Sequence, residues 1–178
     1  RRNRAAKDVE RTISRLIEEE IKRREAEAAK KDKRETAKEK SPKSGFFLRK
    51  GKLIWPVQSG KVVNHFGNQV HPTLKTVTLN YGVDIAVPEG TSVRSVADGE
   101  VSVVYFVAGY GNVVIISHYD GFRTVYAHLS QILVKEGSIV REGQVIAKSG
   151  EALSGEILHF QIWRNRDQQD PEVWLSSK

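Results

Sequence analysis

Cysteine and methionine are both absent from the 178 residues. Without a thiol there is neither a disulfide framework nor a thiolate metal site. Aromatic residues are sparse, at 8 %, and apolar runs such as Val113-Val114-Ile115-Ile116 last only a few residues. Spanning a bilayer takes roughly 18 apolar residues in a row, so this stretch of chain contains no span. Glycine and proline do not occur in residues 1–40, so nothing there interrupts a helix. With no methionine and an Arg1-Arg2-Asn3 start, the sequence reads as a fragment or processed product, and the missing signal peptide says nothing of its parent. A one-signed folded surface is lacking too. The net charge is +7, but residues 1–44 hold 16 Lys+Arg against 10 Asp+Glu, and the other 134 residues hold 13 against 12. A nucleic-acid-binding domain concentrates positive charge on its folded face. Here the basicity sits in a tail of interspersed signs, the pattern of a solvated helix, and no nucleic-acid partner is expected.

At 20.0 kDa the chain has room for one domain and an appendage. The appendage is residues 1–40, rich in Ala, Glu, Lys and Arg. Glu18 precedes Lys22 and Glu27 precedes Lys31 by four positions, the favourable sense for helical pairs. Val9, Ile13, Leu16, Ile17 and Ile21 fall on one helical face. That stripe is too short for a self-sufficient coiled coil. It reads either as the end of a longer one or as a helix that docks in a groove. Ser41-Pro42-Lys43-Ser44-Gly45 breaks the helix, and residues 41–50 read as a linker.

From residue 51 to 178 the texture changes to short alternating runs punctuated by glycine. Strands are predicted at 61–66, 82–87, 99–108, 112–118, 122–128, 138–140, 144–148 and 156–163. Tyr110-Gly111 and Asp120-Gly121 sit between apolar runs, where tight hairpins need positive φ. The expectation is a mainly β, antiparallel domain, a sheet or partly open barrel. The pair Glu89-Gly90-Thr91-Ser92-Val93 and Glu136-Gly137-Ser138-Ile139-Val140 forms a weak internal echo, of the kind that swollen lipoyl- and biotinyl-carrier domains repeat. No lysine sits at a hairpin tip as their chemistry requires.

The informative segments are Asn80-Tyr81-Gly82-Val83-Asp84, Tyr126-Ala127-His128-Leu129-Ser130 and Ile157-Leu158-His159-Phe160. With Trp55-Pro56-Val57, His65-Phe66-Gly67, Val96-Ala97-Asp98-Gly99-Glu100-Val101 and Gly109-Tyr110-Gly111-Asn112 in the same order, residues 51–175 resemble the lysostaphin/LytM family of zinc peptidoglycan endopeptidases. The resemblance implies an H-x-x-x-D and an H-x-H motif on two strands. Residues i and i+2 of a strand share a face, so three side chains can hold zinc and leave its fourth position for water. Asn80 stands where the first metal-binding histidine is implied, and Ile157 where the first histidine of H-x-H is implied. Asp84, His128 and His159 remain. An amide is a poor zinc ligand, and an alkyl side chain neither moves a proton nor donates to an oxyanion. No zinc, no other cofactor and no catalytic residue are therefore expected. Asp84 reads equally as a turn cap, and His159 as a groove-lining aromatic ring.

Within that family, a charged helix, a short linker and Lys52-Leu53-Ile54-Trp55-Pro56-Val57 resemble the EnvC-type murein hydrolase activators. The resemblance implies a periplasmic protein, engaged by the FtsE–FtsX division complex through an upstream coiled coil. It implies binding and activation of N-acetylmuramoyl-L-alanine amidases that split septal peptidoglycan, with the cell wall itself as a further partner. The matched groove positions are Tyr81, Asp84, Tyr110, Tyr126, His159 and Trp163. Tyrosine and tryptophan suit interface anchors, although Tyr126 reads as readily as core. The Val9/Ile13/Leu16/Ile17/Ile21 face is the candidate for a helix that blocks this groove. Two other readings are an atypical zinc endopeptidase and a passive peptidoglycan-binding module.

Overall fold

The computed structural model describes residues 2–32, 45–70 and 73–177, with helix side chains from Glu10 to Glu27 and at Ala29. Residues 33–40 of the expected helix, residues 41–44 of the expected linker and the Val9 side chain lie outside the described residues. Helix α1 spans Arg2–Asp32. After a 3₁₀ turn at Phe47–Arg49 come β1 (Lys61–Asn64), β2 (Gly67–Val70), β3 (Val77–Asn80), β4 (Val83–Ala86), β5 (Ser92–Arg94) and β6 (Gly99–Val107). They are followed by β7 (Gly111–Ser117), β8 (Phe122–Ile132), β9 (Ile139–Val140), β10 (Val145–Ser149), β11 (Ile157–Arg164), β12 (Asp167–Gln169) and a closing turn of helix, α2 (Pro171–Trp174). The main sheet runs β1-β4-β11-β8-β7-β6-β9, with β12 beside β11 and β10 joining β8 to β5; β2 and β3 form a separate hairpin. Pairing within these strands is antiparallel throughout, so the fold is mainly β with an N-terminal charged helix, as the sequence predicts.

The central strands are buried on both faces, and their alternation shows why. In β8 and β11, Phe122, Tyr126, Leu158, Phe160 and Ile162 enter one core with Val114 and Ile116 of β7. Val125, Ala127 and Trp163 point the other way, with Val113 and Ile115, into a second core roofed by Ile13, Ile17 and Ile21 of α1. A strand covered on both sides reads as a continuous apolar run, which accounts for Val113–Ile116. The second core exists because the amphipathic face of α1 supplies its other half. Burying each isoleucine is worth about 2 kcal/mol. Beyond Arg24 the described side chains of α1 are exposed.

The expected linker 41–50 is corrected at its C-terminal half. Phe46 is fully buried, stacked on Phe122 at 4.6 Å between ring centroids and tilted against Trp174 at 5.4 Å. The folded body therefore includes residues 45–50. A break signal such as Ser-Pro-Lys-Ser-Gly marks where a helix cannot continue, and not where packing resumes.

Candidate functional site

The site forms where β4, β8 and β11 lie side by side beneath the first half of α1. Gly82 lets β4 approach: a Cβ there would sit 2.2 Å from the Phe160 carbonyl oxygen. In the resulting register His159 lies directly opposite Asp84. Asp84 Oδ1 accepts from His159 Nδ1 at 2.7 Å and Oδ2 accepts from Asn64 Nδ2 at 3.0 Å. Burial alone would raise the Asp84 pKa, but these two donors hold it below the ordinary carboxylate value.

The network beyond His159 fixes its own proton positions. Trp163 Nε1 donates to Gln161 Oε1 at 2.8 Å, so the Gln161 amide nitrogen faces the site. That nitrogen donates to His159 Nε2 at 2.9 Å and to Glu10 Oε1 at 2.8 Å. His159 is thus the tautomer with its proton on Nδ1 and its lone pair on Nε2. Glu10, from α1, also accepts from the Tyr110 hydroxyl at 2.7 Å and, through Oε2, from Gln168 at 2.9 Å. Its carboxylate is only 5 % exposed and has no cation among these donors, and burial raises its pKa despite them. The Tyr110 ring stacks on His159 at 4.7 Å, and burial beside Glu10 pushes its hydroxyl pKa well up.

His128 reaches this side by a backbone irregularity. Strand alternation sends Tyr126 to the inner core and Ala127 toward α1, and would return His128 to the core. Strand β8 carries one extra residue opposite Asn112–Val114, and His128 has φ of +60°. This bulge re-aims the imidazole to stand edge-on to Tyr110 at 5.5 Å and 6.3 Å from the His159 ring. Burial, with His159 adding to it, lowers the His128 pKa to about 4.

Of the residues singled out from sequence, Asp84, Tyr110, His128 and His159 come together, and Trp163 supports them through Gln161. Tyr81 is half-buried at the approach to β4. Tyr126 is corrected from groove to core: it is fully buried, and its hydroxyl accepts from the Val96 backbone N–H and lies 3.0 Å from Thr124 Oγ1. Asn80 ends β3, where its amide nitrogen donates to the carbonyls of Asn64 and His65 and its oxygen accepts from Gly82 N–H. Ile157 is 6 % exposed and apolar. A catalytic zinc does not fit this donor set: among the described residues no three His, Cys, Asp or Glu side chains are grouped to hold a metal, Asn80 offers an amide tied to backbone, and Ile157 offers no lone pair. Sequence reasoning missed Glu10, Asn64, Gln161 and Gln168. Only Gln161 had a signal, lying two residues beyond His159 on the same strand face.

Residues 78–171 match the model of peptidase family M23. The chain belongs to this family. Among its M23 relatives, the DD-carboxypeptidase/endopeptidase Mpg of Neisseria meningitidis serogroup B is 39 % identical over 66 % of this chain and 28 % of its own length. Murein hydrolase activator EnvC of Escherichia coli K12 is 34 % identical over 87 % of this chain and 38 % of its own. The solved zinc-containing peptidase from Vibrio cholerae superposes with a TM-score of 0.62 at 33 % identity, covering 69 % of this chain and 40 % of that one. The chain thus spans well under half the length of these relatives. No helix among the described residues is long and apolar enough to cross a membrane.

Proposed function

We propose that this M23 domain is a non-catalytic activator of N-acetylmuramoyl-L-alanine amidases in septal cell-wall splitting, working in the periplasm. The amidase binds the groove lined by Tyr110, His159 and Trp163, and α1 keeps that groove closed until division machinery of the FtsE–FtsX kind, acting on a region upstream of the helix, pulls it away. The observation that carries this reading is Glu10: a side chain of α1 is bonded into the site through Tyr110 and Gln161, in front of His159. Support comes from the likeness to EnvC over most of the chain, and from a zinc-ligand set reduced to Asp84 and His159. Against hydrolysis stand Ile157 in the place of an implied imidazole and the occupation of the Nε2 side of His159 by Gln161, itself bonded to Glu10 of α1. Opening the groove exposes Trp163 and the apolar strip around Val125, surface whose burial can drive association.

Muropeptide release from purified sacculi tests this. The chain alone is expected to release nothing, with or without added zinc, and to stimulate an added amidase. Ile13→Asp with Ile17→Asp, which unseats α1, is expected to stimulate more strongly. Digestion by the zinc-supplemented chain without amidase would instead establish the second reading, an atypical endopeptidase, which the retained Asp84–His159 pair and the likeness to Mpg favour. Sedimentation with sacculi and no effect on amidase would leave a passive wall-binding module.

A further inference from the structure

The contact between α1 and the sheet is anchored at both ends by acids, and the two anchors differ. At one end Glu10 meets three neutral donors, Tyr110, Gln161 and Gln168. At the other end Glu20, 1 % exposed, accepts from the guanidinium of Arg123, itself 4 % exposed on β8, from Arg24 of its own helix and from the Ser102 hydroxyl. Arg24 also reaches Glu100 on β6 at 3.1 Å. Between the anchors lie Ile13 and Ile17, with Leu16 beside them and Ile21 just past Glu20, over the valines and isoleucine of β6, β7 and β8. Glu18 adds a more exposed ion pair, accepting from Arg166 of the body. Ten residues of helix rise about 15 Å, and positions i, i+3, i+7, i+10 and i+11 share a face about 100° wide.

Most of the receptor side of both anchors is held independently of α1. Trp163 orients Gln161, and Asp84 orients His159. Arg123 sits on a strand paired on both sides, among Val125, Ile115 and Trp163. Removing α1 takes Glu20 and Arg24 away together and strands a guanidinium on an apolar strip, with Glu100, beyond Ser117, the remaining acid on that stretch of sheet. A charge left unpaired there is costly, so an occupant without a matching carboxylate is rejected.

We infer that the opened groove is a receptor for an amphipathic helix bearing two carboxylates ten residues apart on the face that carries aliphatic side chains at +3, +7 and +11, and that this pattern is what a partner must present. The inference rests on the activator reading only in that the groove opens to a partner; the code itself is a property of the sheet.

Peptides test it without altering the body. The probe is a labelled peptide of residues 2–32, added to the full chain carrying Ile13→Asp and Ile17→Asp. It is expected to bind, and so is an alanine- and lysine-based host peptide carrying only Glu, Ile, Ile, Glu and Ile at the five positions. Glu10→Gln in the peptide places an amide N–H against the Gln168 amide and is expected to weaken binding about tenfold; Glu20→Gln should weaken it about a hundredfold. Arg123→Glu in the chain should abolish binding of the natural peptide and restore it for a peptide carrying Glu20→Arg, a rescue that a misfolded body cannot give. Equal binding by a peptide lacking both acids, failure of the natural or host peptide to bind, or absence of the rescue overturns the inference. Amidase stimulation without acid selectivity would remove the code and leave the activator reading standing; acid selectivity without stimulation would do the reverse.

Discussion

Glu10 and His118 show at the scale of single residues how burial sets the behaviour of a polar group. Burial raises the Glu10 pKa because no cation meets its carboxylate. A raised pKa in the docked state means that docking is strongest below the ordinary carboxylate value, 4.5, and weakens as pH climbs through the raised one. Protection factors of the α1 amides, taken relative to the base-catalysed intrinsic exchange rate at each pH, should fall across that interval as pH rises, and Glu10→Gln should flatten the fall. Tyr110→Phe, which removes one donor to Glu10, should loosen α1 by about 1–2 kcal/mol in the same measurement. Gln161 was open to discovery from sequence, by its place on the His159 face. Glu10 was not, because an acid beside an apolar stripe reads as solvated until the opposite surface is known.

Elements meet here in two ways that a single substitution separates. Helix α1 is held by a stripe of three isoleucines, two buried acids and the more exposed Glu18–Arg166 pair, while β4 is held by a close backbone approach at Gly82. Ile17→Ala should cost about 2–4 kcal/mol of α1 docking, read as lost protection of α1 amides while those of β7 stay protected. Gly82→Ala should instead lower the denaturation midpoint of the β body, because its Cβ would meet the Phe160 carbonyl at 2.2 Å and force β4 from β11. Equal loss of protection in α1 and β7 for Ile17→Ala would mean that helix and body unfold as one unit. The eight predicted strands are all present, because glycine-bounded alternation is a strong local signal. Strands β2, β3, β5 and β12 were not anticipated. Each has three or four residues, and pairing partners decide them rather than any local pattern.

On the scale of the whole molecule, acidification strains the inner core at His118 as well as the groove at His128. His118 is fully buried, 2.9 Å from the Asp98 carbonyl oxygen and 2.6 Å from Thr124 Oγ1, with Phe46 against its ring. Burial lowers its pKa to about 4 from 6.5, so stability present above pH 6.5 is lost as pH falls toward 4. The loss should reach roughly 3 kcal/mol, and His118→Gln should reduce the acid sensitivity of thermal unfolding. An unchanged acid profile in that variant would mean that another group dominates. This trend opposes that of Glu10: acid weakens the body while tightening the helix. Sequence by itself determined the β character, the helix with its apolar stripe, and the positions where Asn80 and Ile157 stand in place of implied imidazoles, because periodicity and residue chemistry are local. Tertiary structure alone decided that Phe46 packs in the core, that Tyr126 faces inward while His128 is turned outward by a bulge, and that Glu10 and Glu20 of the helix are buried against the sheet. Those outcomes depend on which surfaces meet across 30 residues of chain at Tyr126 and up to 158 at Glu10, and no local pattern carries that distance.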